Sequence, residues 1–161
     1  MIKWLVRLRR SPRSIAGGFA LGTFIALTPT FGIQLFLVLA IATVINVNRA
    51  AAMLTVWVTN VATIAPIYTF NYWVGSLFWE GPAVREVYAQ FLDLAAKLVT
   101  IDIWAVLDQF RVVMALGQEI IIPLVIGSVI VGFICAALVY LISMVVIRFI
   151  LVKRQRKKQL L

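Results

Sequence analysis

Two long uncharged stretches, each interrupted by a proline, limit what this chain can fold into. Residues 14–48 contain Pro29 and no charged side chain, residues 50–79 contain Pro66 and none, and only Arg49 separates them. As one straight helix the first stretch would be about 52 Å long. That length exceeds the roughly 30 Å hydrocarbon core of a bilayer but is short for two full spans with a turn. We therefore expect broken helices or re-entrant hairpins, whose irregular backbone must be shielded by protein or line a water-filled cavity.

The composition and the charge distribution predict an integral membrane protein. Of the 161 residues, 63% are apolar and 13% are charged, whereas a soluble domain is nearer half apolar and a quarter charged. Basic residues cluster at both ends, and all six acidic residues lie between Glu80 and Glu119. The positive-inside rule then places both termini and Arg49 in the cytoplasm and leaves 80–119 outside. Basic ends that flank spans fix topology and touch anionic lipid, so no nucleic acid partner is expected.

The chain is predicted to form a single membrane domain, residues 1–161, that is all-α. Its parts are an interfacial helix (2–13), a broken hairpin (14–48), a broken span (50–79), amphipathic outer-face helices (80–119), a transmembrane helix (120–152) and a disordered basic tail (153–161). In this arrangement the first stretch enters and returns, the second crosses once, and the last span returns to the cytoplasm. Whether the first stretch re-enters or makes two thin spans stays open. A protomer this thin is expected to form a homo-oligomer.

The segment 80–119 shows the pattern of helices that lie on a surface. Its first predicted helix has an apolar face and an opposite polar face, and its second starts at Asp102 as N-cap. A loop pair that dips into the bilayer is the alternative. The first apolar face comprises Val84, Val87, Tyr88, Phe91, Ala95 and Leu98, and the second comprises Ile103, Val106, Leu107, Phe110, Val113 and Met114.

The sequence contains no constellation typical of an enzyme. It has no histidine, a single cysteine at Cys135, and no phosphate-binding loop or dinucleotide fingerprint. We therefore predict a protein that is not an enzyme and has no cofactor or metal. Neither uncharged stretch holds an ionisable side chain, which argues against the intramembrane carboxylate relay of a proton-coupled pump.

Neutral polar side chains near the two prolines are the candidate site. A proline break frees carbonyls before it and amides after it, and the amide end of a helix carries about half a positive charge. Two such ends could hold an anion such as a lipid phosphate, which Arg49 could receive at the cytoplasmic face. The plainer alternatives are hydrogen bonds between packed helices and a topology anchor at Arg49. The candidate substrate-binding residues are Thr28, Pro29, Thr30, Gly32, Gln34, Arg49, Asn60, Thr63 and Pro66.

Several short motifs in fixed order resemble a bacterial membrane-protein family known as domain of unknown function 2062. They are Ser11-Pro12-Arg13, the glycine run 17–22, Thr28-Pro29-Thr30-Phe31-Gly32, Asn48-Arg49 and Trp57-Val58-Thr59-Asn60 followed by Pro66, and the match covers residues 11–79. The chain departs from the family at Val61, where a proline often follows the asparagine, so the second break is expected to shift toward Pro66. The resemblance implies an inner-membrane protein, sometimes joined to or encoded beside glycosyltransferases, with no established activity.

Two functions are compatible with these features. The first is a transporter or flippase for an anionic lipid, such as a phospholipid or polyprenyl phosphate, or for a lipid-linked envelope precursor. The second is a non-catalytic scaffold that assembles with a glycosyltransferase or another envelope enzyme. The hairpin layout is also similar in style to DedA lipid-carrier transporters, which is an analogy of fold alone. A transporter needs polar groups that face a water-accessible cavity, whereas a scaffold needs them satisfied inside the packing.

Overall fold

The computed structural model describes residues 11–101 and 105–159, and within these ranges the chain forms seven α-helices and no strand. The interfacial helix predicted at 2–13 lies largely outside the described residues, as does Asp102. The helices are α1 (Pro12–Leu27), α2 (Gln34–Val44), α3 (Arg49–Val56), α4 (Ile64–Ser76), α5 (Val84–Thr100), α6 (Val106–Met114) and α7 (Gln118–Gln159).

Helices α1 and α3 pack side by side and run in the same direction. The Asn48 amide donates to the Ser14 carbonyl at 2.9 Å, which fixes their starts at one level. About two helical turns further along, a Cβ on Gly22 would overlap the Ala52 carbonyl oxygen and the Thr55 hydroxyl. Glycine lets the two backbones approach this closely, as is common between membrane helices. The parallel register brings the ends of both helices, and the chain segments that follow them, to the same end of the bundle.

Helix α2 returns against both of these helices, so the first uncharged stretch folds as a helical hairpin. Val38 and Ala42 on α2 are completely buried against Ile25, Ala52 and Val56. Asn48 then starts α3 by accepting the Ala51 amide at 2.9 Å, in the manner of an N-cap. Val47 contacts the position of Gly17, which shows that the chain has come back to the start of α1.

Helix α7 is the longest element and runs antiparallel to both α1 and α4. Gly75 on α4 lies against the Pro123 carbonyl, and Gly127 on α7 lies against the Asn71 carbonyl, so a side chain on either glycine would overlap backbone. Gly132 faces Phe24 on α1. The first turns of α7 therefore pack on α4 and the next part packs on α1, which aligns the two uncharged stretches along one long helix.

Helices α5 and α6 cover one end of the bundle. Val87, Phe91, Leu94 and Leu98 of α5 are buried in the largest apolar cluster, which also contains Tyr68 and Tyr72 of α4 and Val113 of α6. The Tyr68 and Phe91 rings meet edge to face with centroids 5.7 Å apart, a preferred geometry for aromatic pairs. The exposed edge of α5 carries an ion pair between Asp93 and Lys97 at 2.6 Å.

The structure differs from the sequence-based predictions in four places. The second break lies at residues 57–63, and Pro66 sits in the first turn of α4, where a missing amide is tolerated because it has no intrahelical partner. Leu94 is buried in place of Tyr88, because the apolar face of α5 is rotated toward α4. Leu107 and Met114 are exposed, since α6 begins at Val106 and turns Gln109 and Val113 inward. The basic tail continues α7 to Gln159, where disorder was predicted.

The outward face of α7 is apolar. Within the described residues, one helix is long and apolar enough to cross a membrane, and its span is Gln118–Ile150. Phe133 is 72% exposed and Val145 and Phe149 are 69% exposed. Large apolar side chains at such exposure mark a surface that meets a membrane or another protein.

Candidate functional site: the two breaks and the cavity between them

The first break, residues 28–33, begins with side chains that cap the end of α1. Thr28 has an extended backbone with ψ 152°, as expected before a proline. Its hydroxyl donates to the Ile25 carbonyl at 2.7 Å, and the Thr30 hydroxyl is 3.4 Å from the same oxygen. The two hydroxyls are 3.2 Å apart. Pro29 is buried beside them, so these three residues close the helix end, and none of them lines the cavity described below.

The remaining carbonyls at the end of α1 are satisfied by residues far away in the sequence. The Asn71 side-chain amide donates to the Leu27 carbonyl at 2.7 Å and to the Ser128 hydroxyl at 3.1 Å. The Thr59 hydroxyl donates to the Ala26 carbonyl. The Tyr68 hydroxyl reaches the Thr28 carbonyl at 3.5 Å. Helix α4, helix α7 and the second break thus converge on one helix end, whose carbonyls would otherwise be buried without partners.

The second break, residues 57–63, is held mainly by hydrogen bonds within itself. The Asn60 side-chain oxygen accepts the Ala62 amide at 2.9 Å and the Thr63 amide at 3.3 Å. The Thr63 hydroxyl accepts a hydrogen bond from the Asn60 backbone amide at 2.9 Å and donates to the Val58 carbonyl at 2.8 Å. This is the local turn chemistry that Asn and Thr supply. Asn60 is only partly buried and Trp57 is 64% exposed, so this break forms an accessible surface.

A cavity of about 330 Å³ lies where the two breaks meet. Both breaks, the start of α2 and the end of α3 form its walls, and α5 and α6 each contribute one residue. None of its lining residues is charged. The lining residues are Phe31, Gly32, Gln34, Leu35, Phe36, Val56, Trp57, Thr59, Asn60, Val61, Leu98 and Gln109.

The start of α2 supplies the polar wall of this cavity. Gly32 has φ 90°, a left-handed conformation that glycine adopts without strain. Helix α2 begins at Gln34 with no side-chain cap, so its first-turn amides have no intrahelical acceptor and carry partial positive charge. The Gln34 side chain is 8% exposed, and its amide nitrogen donates to the Thr59 carbonyl at 3.4 Å. Its oxygen is buried without a hydrogen-bond partner, so one acceptor of this side chain is unsatisfied beside the cavity.

The structure brings some of the predicted site residues together and separates others. Gly32, Gln34 and Asn60 line the cavity, and Thr63 supports the turn that carries Asn60. Pro66 is exposed on α4 and is not part of the lining. Arg49 starts α3, so it lies roughly 12 Å along the axis from the cavity end of that helix. Its Nε is buried without a hydrogen-bond partner.

Sequence reasoning missed four polar or aromatic residues of the site. Trp57 and Thr59 belong to the motif that was quoted for its resemblance, yet only Asn60 was selected from it. Tyr68 reads as a core aromatic until its hydroxyl is seen at the first break. Gln109 is the polar residue on an otherwise apolar face of α6 and is 8% exposed, which is a signal that the sequence does contain. Among the described residues, no group of His, Cys, Asp and Glu could hold a metal ion.

The chain belongs to the bacterial family that is described as "Uncharacterized protein conserved in bacteria (DUF2062)", because the model of that family matches residues 1–157. The match extends well beyond the motifs at 11–79 and includes α5, α6 and nearly all of α7. No curated protein and no solved structure matches the chain.

Proposed function

We propose that this member of the family is a multi-pass protein of the bacterial inner membrane with both termini in the cytoplasm. The outward apolar face of α7 supports insertion of that helix, and the basic ends support its orientation. The α1–α2 hairpin then enters from the cytoplasmic side and returns, while α3 and α4 make one crossing that is broken at 57–63. Helices α5 and α6 lie on the outer side, where their charged edges meet water.

The cavity between the breaks is proposed to bind the headgroup of a lipid or lipid-linked envelope precursor that the protein moves across the membrane. The observation that carries this proposal is the pair of complementary polar groups in one uncharged wall. The first-turn amides of α2 can donate to phosphate oxygens, and the unpartnered Gln34 oxygen can accept a hydroxyl. A headgroup that combines an anionic phosphate with hydroxyl groups, such as a glycerol phosphate or a sugar phosphate, matches both.

The position of the cavity fits a path for a headgroup with its tail in the membrane. Trp57 and Phe36, which are 64% and 66% exposed, stand at its rim. Apolar side chains at the rim would contact a lipid tail while the headgroup occupies the polar wall. Without an ionisable group in the lining, transport would follow a lipid gradient rather than a proton gradient.

The test is lipid scrambling by the purified protein in liposomes with a fluorescent anionic lipid. Gln34→Leu removes both polar atoms of the side chain at nearly constant volume, and we expect transport to fall about tenfold. Thr43→Val on the exposed side of the same helix is the matched control, since the Thr43 hydroxyl donates to the Leu39 carbonyl of its own turn at 2.7 Å. Transport by the wild type that is no faster than in empty liposomes, across several anionic lipids, would refute the proposal.

Accessibility of the cavity gives a second, independent test. With Cys135→Ala as background, Asn60→Cys should react with a membrane-impermeant thiol reagent, because Asn60 is partly exposed at the cavity. Val38→Cys, at a completely buried position on α2, is the control that should not react. Protection of residue 60 in both intact and inverted vesicles would show a closed cavity and argue against transport.

A non-catalytic scaffold for a glycosyltransferase or another envelope enzyme is the second candidate. The observation that favours it is the first break, where Thr59, Tyr68 and Asn71 satisfy the helix-end carbonyls inside the packing. A scaffold would also use its apolar outer faces to form a homo-oligomer or bind the enzyme. Two results together would favour this role. The Gln34→Leu variant would fully complement the deletion phenotype, and a substitution on an apolar outer face would abolish co-purification of the enzyme.

A further inference from the structure

A second concave surface, separate from the cavity between the breaks, runs along the contact of α1 with α7. Its volume is about 490 Å³, and its walls are almost entirely apolar. Small residues leave the space, and two aromatic residues bound it. The small residues are Gly17 and Ala20 on α1 and Ala136 and Ala137 on α7, and the aromatic residues are Phe24 and Tyr140. We call this surface the α1–α7 groove.

Two arginines lie at one end of the α1–α7 groove. Arg13 precedes Gly17 by one helical turn and shares its face of α1, and Arg148 follows Tyr140 by about two turns on α7. The facing pair Phe24 and Gly132 sets the antiparallel register. From this pair Arg13 lies roughly 16 Å away along α1 and Arg148 roughly 24 Å away along α7. Both are exposed at the same end of the bundle.

We propose that the α1–α7 groove binds one acyl chain of an anionic phospholipid whose headgroup phosphate is held by Arg13 and Arg148. The apolar walls match an acyl chain in shape and polarity. The arginines match the phosphate in charge and stand at the end of the bundle where the lipid headgroups of the cytoplasmic leaflet lie, in the orientation proposed above. The N-terminus of α1, next to Arg13, adds partial positive charge.

Charge favours a lipid over a second copy of the chain as the occupant. A two-fold interface built on this groove, with α1 and α7 of both copies meeting in parallel, would bring Arg13 and Arg148 of both copies together, and like charges across an interface are unfavourable. An anionic headgroup instead neutralises them. The inference rests on the proposed membrane insertion of α7 but not on transport, and it concerns a site distant from Gln34.

The test is native mass spectrometry of the full-length protein in detergent, titrated with phosphatidylglycerol, phosphatidylcholine or inorganic phosphate. We expect phosphatidylglycerol to bind about tenfold more tightly than phosphatidylcholine, and Arg13→Gln with Arg148→Gln to remove that preference. Arg85→Gln with Arg111→Gln changes the net charge equally on exposed parts of α5 and α6 and should leave the preference intact. An unchanged preference in the first double variant would overturn the proposal.

The groove itself is tested by filling it. Ala20→Leu with Ala137→Leu should weaken binding of both phospholipids about tenfold, whereas Ala96→Leu, at an exposed site on α5, should not. Three results would each overturn the proposal: unchanged binding in the filled variant, inorganic phosphate that competes fully with the lipid, or a dimer that the filled variant loses. Thermal unfolding verifies that the variants fold.

The outcomes also separate this site from the proposed function. If carbonate treatment removes the wild-type protein from membranes, membrane insertion is refuted, and both proposals are refuted with it. Protein that stays in the membrane and transports lipid, but shows no headgroup preference, would refute the lipid site alone.

Discussion

The two breaks have a similar layout in sequence, yet they are stabilised in different ways. At the first break, carbonyls of Ala26, Leu27 and Thr28 bind side chains that are 33, 44 and 40 positions away in the sequence. At the second break, Asn60 and Thr63 bond to atoms at most five residues away. The first break is therefore tied to helix α4 and to Thr59 of the second break, whereas the turn at 60–63 is held by its own side chains.

Because of this difference, a movement of the first break would disturb more of the fold than a movement of the turn at 60–63. A helix end whose carbonyls are held by distant, buried side chains cannot move without disturbing α4 and α7. The turn at 60–63 keeps its own side-chain hydrogen bonds, whereas Thr59 beside it is buried and donates to the Ala26 carbonyl. The cavity is thus lined both by Thr59, which is tied to the first break, and by Asn60, which is held within its own turn.

The largest expected effect comes from the tie at Asn71. Asn71→Leu keeps most of the volume but removes the donor from both the buried Leu27 carbonyl and the buried Ser128 hydroxyl oxygen. We expect a loss of about 1–3 kcal/mol in the free energy of unfolding, measured by chemical unfolding in detergent micelles. Phe70→Leu at the exposed neighbouring position is the control. A loss no greater than that of the control would show that the first break is not held from α4.

Thr59 connects the two breaks and should have the next largest effect. Thr59→Val preserves the shape and removes the donor to the Ala26 carbonyl, so we expect about 1 kcal/mol of destabilisation. Thr43→Val, where the hydroxyl is exposed and bonds within its own helix, should be close to neutral. Equal effects of the two substitutions in the same unfolding experiment would mean that the breaks are energetically independent.

The sequence was sufficient to predict what is local and insufficient for what is remote. Thr28 and Pro29 end α1 through short-range geometry, which can be predicted from sequence. The contact between Asn71 and Leu27 depends on how α4 lies on α7, and nothing near either residue indicates it. The family membership is confirmed, as is the all-helical class within the described residues.

The error at the second break has a physical reason. A proline disfavours helix at the residue before it, but it is equally at home in the first turn of a new helix. Pro66 does the second, while Asn60 and Thr63 supply the turn. The asparagine was the better marker of this break, because its side chain bonds to its own backbone and thereby competes with helix.

A smaller effect is expected when the local bonds of the second break are removed. Asn60→Ala deletes the acceptor for the Ala62 and Thr63 amides, and because these groups are near the surface water can replace it. We expect about 0.5–1 kcal/mol, similar to the loss of a helix cap. Hydrogen exchange should accelerate at 57–63 and stay unchanged at 28–33. Faster exchange at both segments would contradict the separation of the two breaks.

The smallest effect is expected at Pro66, and it distinguishes the two prolines. Pro66→Ala supplies an amide in the first turn of α4, where none is needed, and gives up a restriction on the unfolded chain, so the loss should stay near 0.5 kcal/mol. Pro29→Ala should cost more, because Pro29 is buried between Thr28 and Thr30, whose hydroxyls cap α1. If Pro66→Ala proves the more damaging of the two in the same unfolding experiment, then Pro66 maintains the second break. In that case the hydrogen bonds of Asn60 would result from the break and would not form it, so the second break would not be maintained by its own turn.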